Sequence, residues 1–157
     1  MNLNRIIVIF VIVLIIFVAI VLYQFTSKAP GHLHSLPAKT VTIDNQSFTV
    51  QVATSSAQQQ AGLTIVNSLP QNEGMLFLFT KPGYYSFWMR SMKFPLDIIF
   101  INGNKIVSFA ENARPAASAN QSPPIFQPQS PADKVLEINA GLVKKYEFKK
   151  GDAVNIE

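Results

Sequence analysis

The stretch Gly74-Met75-Leu76-Phe77-Leu78-Phe79 is the densest apolar region of the chain after residue 38. Its apolar residues do not alternate with polar ones, which is typical of a strand covered on both faces rather than one. Lys81-Pro82-Gly83 then breaks the run. We therefore predict a strand over residues 74–79 that is buried on both faces.

Strand patterns lie on both sides of this run. Asn45-Gln46 suits a hairpin turn between two alternating segments, and Asn102-Gly103-Asn104 contains one of the strongest local hairpin signals. Strands are predicted over residues 40–43, 48–52, 84–89, 97–101, 105–110, 135–138 and 153–156. This pattern predicts a mainly β fold, a β-rich α+β domain with a curled or barrel-like mixed sheet.

One or two short helices complete the predicted domain. Ser55 followed by Gln58 fits a capping box, in which each side chain satisfies a free backbone donor at the helix start. This predicts a helix within residues 55–63 that ends at Gly62. Residues 141–148 are expected to form one or two helical turns.

An unbroken apolar run over residues 6–22 precedes the domain. As a helix it would extend roughly 25 Å, just short of the roughly 30 Å hydrocarbon core of a bilayer. The apolar region of a cleaved signal peptide is usually shorter, about 7–15 residues. We therefore predict an uncleaved transmembrane signal anchor over residues 6–23, which contacts membrane lipid.

The basic residues beside the anchor favour an N-in orientation by a small margin, since Arg5 lies closer to the run than Lys28 does. The prediction is a single-pass protein of the cell (inner) membrane. It has a cytoplasmic N-terminus (residues 1–5), a flexible tether (24–38) and an extracytoplasmic domain (39–157). Residues 114–133 are rich in Pro, Ser, Ala and Gln and predict a mobile insert in that domain.

Composition excludes several functions. The chain has 13 Lys and Arg against 9 Asp and Glu, a net charge of +4, and these charges are interspersed, so nucleic acid is not an expected partner. It has no cysteine, which excludes disulfides, thiolate metal sites and a Cys nucleophile. No Ser-His-Asp order, phosphate-binding loop, dinucleotide turn or zinc spacing is present, and no cofactor is expected.

Several blocks follow one another in a characteristic order. They are Ala61-Gly62-Leu63, Ser68-Leu69-Pro70, Gly74-Met75-Leu76-Phe77, Phe87-Trp88-Met89, Pro95-Leu96-Asp97-Ile98, Val135-Leu136-Glu137 and Gly151-Asp152. In order and spacing the chain resembles the prokaryotic domain-of-unknown-function family 192. The resemblance implies a compact β-rich fold and no assigned activity. Relatives usually have Arg-Gly-Leu-Met and a nearby Arg where this chain has Ala61-Gly62-Leu63-Thr64 and then Ile65-Val66, and they usually have Asn where it has Ser91.

Asp97 stands in an otherwise apolar strand, where a carboxylate is costly to bury unless it is paired or hydrogen-bonded. In one interpretation it is a general acid or base that works with Glu73 or Glu137 in a hydrolase or lyase. In the other, which we favour, it accepts backbone N–H groups and holds a turn. No His, Ser or Lys occupies an obvious partner position.

The aromatic segment over residues 84–88 predicts a ligand surface. In a strand, Tyr84 and Trp88 share one face with Ser86 and Arg90, so this face is the one expected to meet solvent. We predict that Tyr84, Trp88, Arg90 and the loop leading to Asp97 bind an envelope protein, a peptide or a saccharide.

Three thioethers, Met75, Met89 and Met92, suggest a further alternative, because soft sulfur ligands suit Cu(I). Methionine is also ordinary packing material in an aromatic core. A strand would place Met89 and Met92 on opposite faces, which weakens the copper hypothesis. The sequence thus favours a membrane-anchored extracytoplasmic binding or accessory module of the cell envelope over an enzyme or a copper carrier.

Overall fold

The computed structural model describes Phe10 and residues 12–18, 36–118 and 121–157. The chain forms two units, Met1–Pro30 and Gly31–Glu157. In the first unit residues 12–18 are helical. Within the described ranges, no helix is both long enough and apolar enough to span a membrane. Most of the predicted anchor (6–23) and tether (24–38) lies outside the described residues.

The second unit is mainly β, as predicted. Its described residues form nine strands: β1 Ala38–Ile43, β2 Gln46–Ala53, β3 Glu73–Gly83, β4 Phe87–Trp88, β5 Leu96–Asn102, β6 Lys105–Ala113, β7 Ile125–Phe126, β8 Ala132–Asn139 and β9 Val154–Ile156. Seven of them make one mixed sheet in the order β6-β5-β8-β3-β2-β1-β9, and β4 pairs with β7 in a small ribbon. In the seven-stranded sheet β2 and β3 run parallel, and the other neighbours run antiparallel.

The seven-stranded sheet is strongly curled, and its two edge strands meet at one end. The backbone N–H of Val154 donates to the carbonyl oxygen of Asn104 at 2.8 Å, and that of Gly151 donates to Ile106 at 2.9 Å. A bridge between Lys105 and Ala153 accompanies these bonds. The curled sheet of the prediction is therefore confirmed, in the form of a half-barrel.

Both hairpins predicted from turn residues are present. Gly103-Asn104 joins β5 to β6, with Gly103 at φ +60°, a left-handed conformation that glycine adopts without steric cost. Asp44-Asn45 joins β1 to β2, one residue earlier than expected, with Asp44 at φ +50°.

Two short helices flank the sheet. Helix α1 (Ser56–Ala61) begins with the predicted capping box between Ser55 and Gln58. It ends at Gly62, which starts a 3₁₀ turn over Gly62–Ile65. Helix α2 (Leu142–Lys145) follows β8, where one or two helical turns were expected.

The sheet carries an apolar cluster on each face. The face toward α2 gathers Val41, Ile43, Phe48, Val50, Leu76, Ile99, Ile101, Leu136, Ile138, Leu142 and Val143. The opposite face, which we call the α1 face, gathers Ala53, Leu63, Met75, Phe77, Phe87, Met89, Ile98, Phe100 and Val135. Strand β3 contributes alternate residues to both clusters, which confirms that it is buried on both faces.

The structure differs from the sequence prediction around the ribbon. The strand expected over residues 84–89 contains only Phe87 and Trp88, and residues 114–133 are not wholly without structure. Within that segment Ile125 pairs with Trp88 and Phe126 with Phe87, and Phe126 packs against the α1-face cluster. The two apolar residues of the segment find partners that lie far from them along the chain, which local composition does not reveal.

Candidate functional site

A cleft of about 350 Å³ lies on the α1 face, between α1 with its 3₁₀ turn and the aromatic segment. This volume falls in the range of small-ligand sites, roughly 300–1,000 Å³. One wall is aromatic and the other is mostly polar, with Met92 and Glu137 completing the lining. The aromatic wall comprises Phe77, Phe79, Tyr85, Phe87 and Trp88, with Ser86 on the same segment, and the polar wall includes Ser56, Gln59, Gln60 and Thr64.

The aromatic wall is held by ring contacts. Phe79 and Tyr85 stack with centroids 3.7 Å apart and planes 11° from parallel. Phe87 meets Phe77 edge to face at 5.0 Å. The hydroxyl of Tyr85 donates to the carbonyl oxygen of Lys81 at 2.8 Å. Because these contacts fix the rings, the wall is formed before any ligand arrives.

Exposure alternates along the aromatic segment, as the strand parity predicted. Tyr84 is 61% exposed and Trp88 is 52% exposed, and Arg90 is also exposed, whereas Phe87 and Met89 are buried. Trp88 lines the cleft but Tyr84 does not. The Arg90 guanidinium carbon lies 6.0 Å from the centre of the Trp88 ring, at the limit of a cation–π contact.

Hydrogen bonds orient several polar side chains of the cleft. The Gln59 side-chain amide donates to the carbonyl oxygen of Leu78 at 2.9 Å, and the Thr64 hydroxyl donates to that of Ala61 at 2.6 Å. The amide of Gln127 donates to the Ser86 hydroxyl at 2.7 Å. Gln59 is thereby oriented, and Thr64 keeps only acceptor capacity for a ligand.

Among the described residues that line the cleft, Glu137 is the one with a carboxyl group. It lies on β8, opposite Met75 of β3 and Ile98 of β5, and is 6% exposed. Its carboxyl group forms no hydrogen bond or ion pair with any described residue, and it reaches solvent where it lines the cleft. Burial raises the pKa of Glu137 from its ordinary 4.5 to about 8, so the group is mainly protonated at neutral pH.

Gly74 allows β3 to approach β8 at this point. A Cβ atom on Gly74 would lie 2.7 Å from the backbone carbonyl oxygen of Glu137, closer than real Cβ contacts. The absence of a side chain at Gly74 therefore helps to set the position of Glu137.

Asp97 lies on the other face of the sheet and is fully buried. One carboxylate oxygen accepts the N–H of Asn112, and the other accepts that of Val143, both at 2.8 Å. The register between β5 and β6 shifts opposite Asp97, and Asn112 in that bulge has φ +50°. Asp97 therefore ties a bulge to the start of α2, which supports the structural interpretation of this residue.

The three candidate carboxylates are not brought together in one cleft. Asp97 pairs with Ile138 and faces α2, whereas Glu137 lies on the α1 face. Glu73 is half-buried at the start of β3 and does not line the cleft.

The three methionines share one apolar cluster. Met75 and Met89 are almost completely buried in the α1-face cluster, and Met92 packs against it beside the cleft. A turn at residues 90–91 interrupts the expected strand, so Met89 and Met92 pack on the same cluster rather than on opposite faces. Their burial among aromatic rings is ordinary core packing. In the described part of the chain, no group of three or more His, Cys, Asp or Glu side chains could hold a metal ion.

The sequence prediction missed most of the polar wall. It named Glu137 only as a partner for Asp97, and it did not include Gln59, Gln60 or Thr64. A usable signal was present, because Glu137 interrupts the apolar residues of its strand as Asp97 does. The tertiary structure, in contrast, was needed to place Gln59 and Gln60 opposite the aromatic segment.

Comparisons with known proteins identify a family and similar structures but no activity for them to share with this chain. The model of the family DUF192, described as an uncharacterized ACR, matches residues 39–156. A solved structure of a protein of unknown function from Novosphingobium aromaticivorans is 34% identical, with a TM-score of 0.69, covering 82% of this chain and 94% of that one. A solved structure of a proposed transcription regulator from Sinorhizobium meliloti is 29% identical, with a TM-score of 0.68, covering 76% of this chain and 94% of that one. No curated protein matched.

Proposed function

The chain belongs to the DUF192 family, and we propose that its β-rich domain is a binding module whose ligand enters the cleft on the α1 face. Family membership brings no activity with it, so the proposal depends on the geometry of the cleft. The module has a preformed aromatic wall, a polar wall in which hydrogen bonds orient Gln59 and Thr64, and one buried acid between them.

The Glu137 carboxyl, which has no partner among the described residues, is the observation that carries the proposal. Buried polar groups are normally hydrogen-bonded, because leaving one without a partner costs free energy. The domain satisfies its other buried acid, since both oxygens of Asp97 accept backbone N–H groups. A buried acid that lacks partners among the described residues and lines an open cleft favours a ligand-binding site.

We extend the proposal to the cell envelope on the strength of the sequence. The apolar run over residues 6–22 supports a single-pass anchor with its N-terminus inside, and the binding module then lies outside the cytoplasm. An envelope peptide, protein or saccharide is the corresponding ligand.

A hydrolase or lyase is less well supported. Such enzymes commonly use two carboxyl groups on either side of the scissile bond. Glu137 is the one carboxyl residue among those that line the cleft in the described part of the chain. A raised pKa suits a general acid, but a second group to act with it is missing from this set of residues.

Two aromatic variants test the binding proposal. Trp88→Ala removes an exposed ring that lines the cleft, and Tyr84→Ala removes an exposed ring that does not. Full-length protein is screened against arrays of peptides and oligosaccharides, and the affinity of each bound ligand is then measured. We expect Trp88→Ala to weaken binding about tenfold or more, in line with the loss of an interface aromatic, and Tyr84→Ala to leave it unchanged. Equal binding by Trp88→Ala and the native protein would refute the assignment of the cleft.

A further inference from the structure

We propose that the ligand group that meets Glu137 is an organic cation, a primary ammonium or a guanidinium carried on an apolar stem. This inference depends on the proposed function, because it takes the cleft as the ligand site and specifies the chemistry that fits it.

Three oxygen-bearing groups of the cleft favour a ligand that donates hydrogen bonds. The Thr64 hydroxyl has already given its proton to the carbonyl oxygen of Ala61, so it can only accept. The Gln59 amide nitrogen is held by the carbonyl oxygen of Leu78, and its side-chain oxygen makes no bond to a described residue. With the Glu137 carboxyl, these oxygens form an acceptor set that a donor-rich ammonium or guanidinium would satisfy.

The charges of the cleft also favour a cationic ligand. In the described part of the chain, no Lys, Arg or His lines the cleft, so these lining residues offer Glu137 no positive charge. An isolated buried carboxylate is expensive, and a cation from the ligand would supply the missing partner.

The aromatic wall suits both parts of such a ligand. Ring faces attract cations, and guanidinium groups also stack on them. Trp88 already lies within cation–π distance of the Arg90 guanidinium. The buried rings beside it, together with Met92, offer an apolar surface to an alkyl stem.

Binding of a cation is coupled to the proton on Glu137. The positive charge favours the carboxylate form, so a bound cation lowers the pKa of Glu137 and expels its proton. Cation affinity is therefore expected to rise as pH increases toward about 8 and to level off above it. A neutral ligand that accepts a hydrogen bond from the protonated acid shows the reverse, and its affinity falls above that pH.

The groups around Glu137 leave this acid as the source of the pH dependence. Strand β5 presents the apolar Ile98, and β3 presents Met75, with Glu73 two residues earlier on the same face. The aromatic segment contributes Tyr85, whose hydroxyl is bonded to Lys81, and Arg90 beside Trp88. The polar wall contributes neutral Ser, Gln and Thr side chains.

The test is calorimetric titration of the full-length protein in neutral detergent. The probes are the backbone-capped amino acids N-acetyl-arginine methylamide and N-acetyl-lysine methylamide, and the free cations butylguanidinium and butylammonium. N-acetyl-citrulline methylamide and a methyl glycoside are the neutral controls. Titrations in buffers of different ionisation enthalpy report how many protons are released. We expect the cations to bind at pH 7 with release of close to one proton, and their affinity to rise up to about tenfold per pH unit between pH 6 and 8.

Variants separate a role of the acid from a loss of fold. Glu137→Gln is expected to abolish both proton release and the pH slope and to weaken cation binding at least tenfold, whereas Glu111→Gln, at an exposed position, changes neither. Circular dichroism verifies that both variants are folded. Trp88→Ala is expected to weaken cation binding but to retain the pH slope, because Glu137 remains.

Each remaining outcome has a defined meaning. Binding of the capped amino acids alone identifies a peptide side chain as the source of the cation, and binding of the alkyl cations alone identifies a free alkylammonium or alkylguanidinium. If the neutral probes bind as tightly as the cations, or if the cations fail while array ligands still depend on Trp88, the cation inference is overturned and the binding module stands. If neither an array ligand nor a cation probe depends on Trp88, both proposals fail.

Discussion

Asp97 and Glu137 lie on neighbouring strands of one sheet, but their side chains project from its opposite faces. Asp97 pairs with Ile138, and Glu137 pairs with Ile98, so the two acids are offset by one residue. In a strand a one-residue offset moves a side chain to the other face. Asp97 consequently meets two backbone N–H groups beside α2, and Glu137 meets the aromatic cleft. Two residues of similar chemistry thus acquire different roles.

Asp97→Asn is expected to destabilise the domain without altering the cleft. An amide presents one oxygen and one NH₂ group, so one of the N–H donors of Asn112 and Val143 would face another donor. The loss of a charge-assisted bond and the buried mismatch together cost about 2–4 kcal/mol. Urea unfolding measures this change. Asp44→Asn, at an exposed turn, is the control and should stay within about 0.5 kcal/mol of the native protein. A stability equal to that of the native protein would contradict the structural role of Asp97.

Glu137 should make the stability of the domain depend on pH. Its pKa is about 8 in the folded chain, so between about 4.5 and 8 the folded state holds a proton that the unfolded state has released. This contribution to the free energy of unfolding is fully present at low pH. It is lost as pH rises, by up to about 1.4 kcal/mol per unit between those two values.

Glu137→Gln removes this dependence, because the amide does not titrate. The difference in unfolding free energy between the variant and the native protein should therefore move in favour of the variant from pH 5 to pH 8. Urea denaturation of both proteins at several pH values measures this difference. A difference that stays constant across this range would show that Glu137 keeps an ordinary pKa.

Gly74→Ala is expected to disturb the junction of β3 and β8. The new methyl group would lie 2.7 Å from the carbonyl oxygen of Glu137 and 3.1 Å from the Ile138 side chain, so a strand must move. We expect a loss of about 2–3 kcal/mol, together with altered NMR shifts at Met75 and Glu137. Gly103→Ala is the matched control: it has open space and a positive φ, and should cost about 1 kcal/mol without affecting those shifts. Unchanged shifts in Gly74→Ala would rule out this positioning role.

The predicted topology is tested with a fusion. A reporter enzyme that is active only outside the cytoplasm is joined after Glu157 in bacterial cells. The apolar run over residues 6–22 predicts an active reporter, and deletion of residues 1–23 should abolish that activity. Activity from a reporter that works only inside the cytoplasm would instead reverse the orientation and remove the envelope from the proposed function.

The sequence alone was sufficient where the determining interactions are local. The capping box of Ser55 and Gln58 and the turn at Gly103 each depend on residues close together in the chain, and both were predicted correctly. The buried strand β3 was also readable, because uninterrupted apolar residues mark a strand with both faces covered. The exposure of Trp88 and Arg90 was predicted from the alternation of side chains between the two faces of a strand.

The sequence by itself determined the elements of a β-rich domain and the family to which it belongs. Only the tertiary structure decided which of the buried acids would face a cleft, because the face that Glu137 occupies depends on the register of β8 between β3 and β5. The pairing of Ile125 and Phe126 with the aromatic segment is likewise non-local, and so is the position of Gln59 opposite that segment. Local propensity specifies how a segment folds, but the contacts that create a site join segments far apart in the chain.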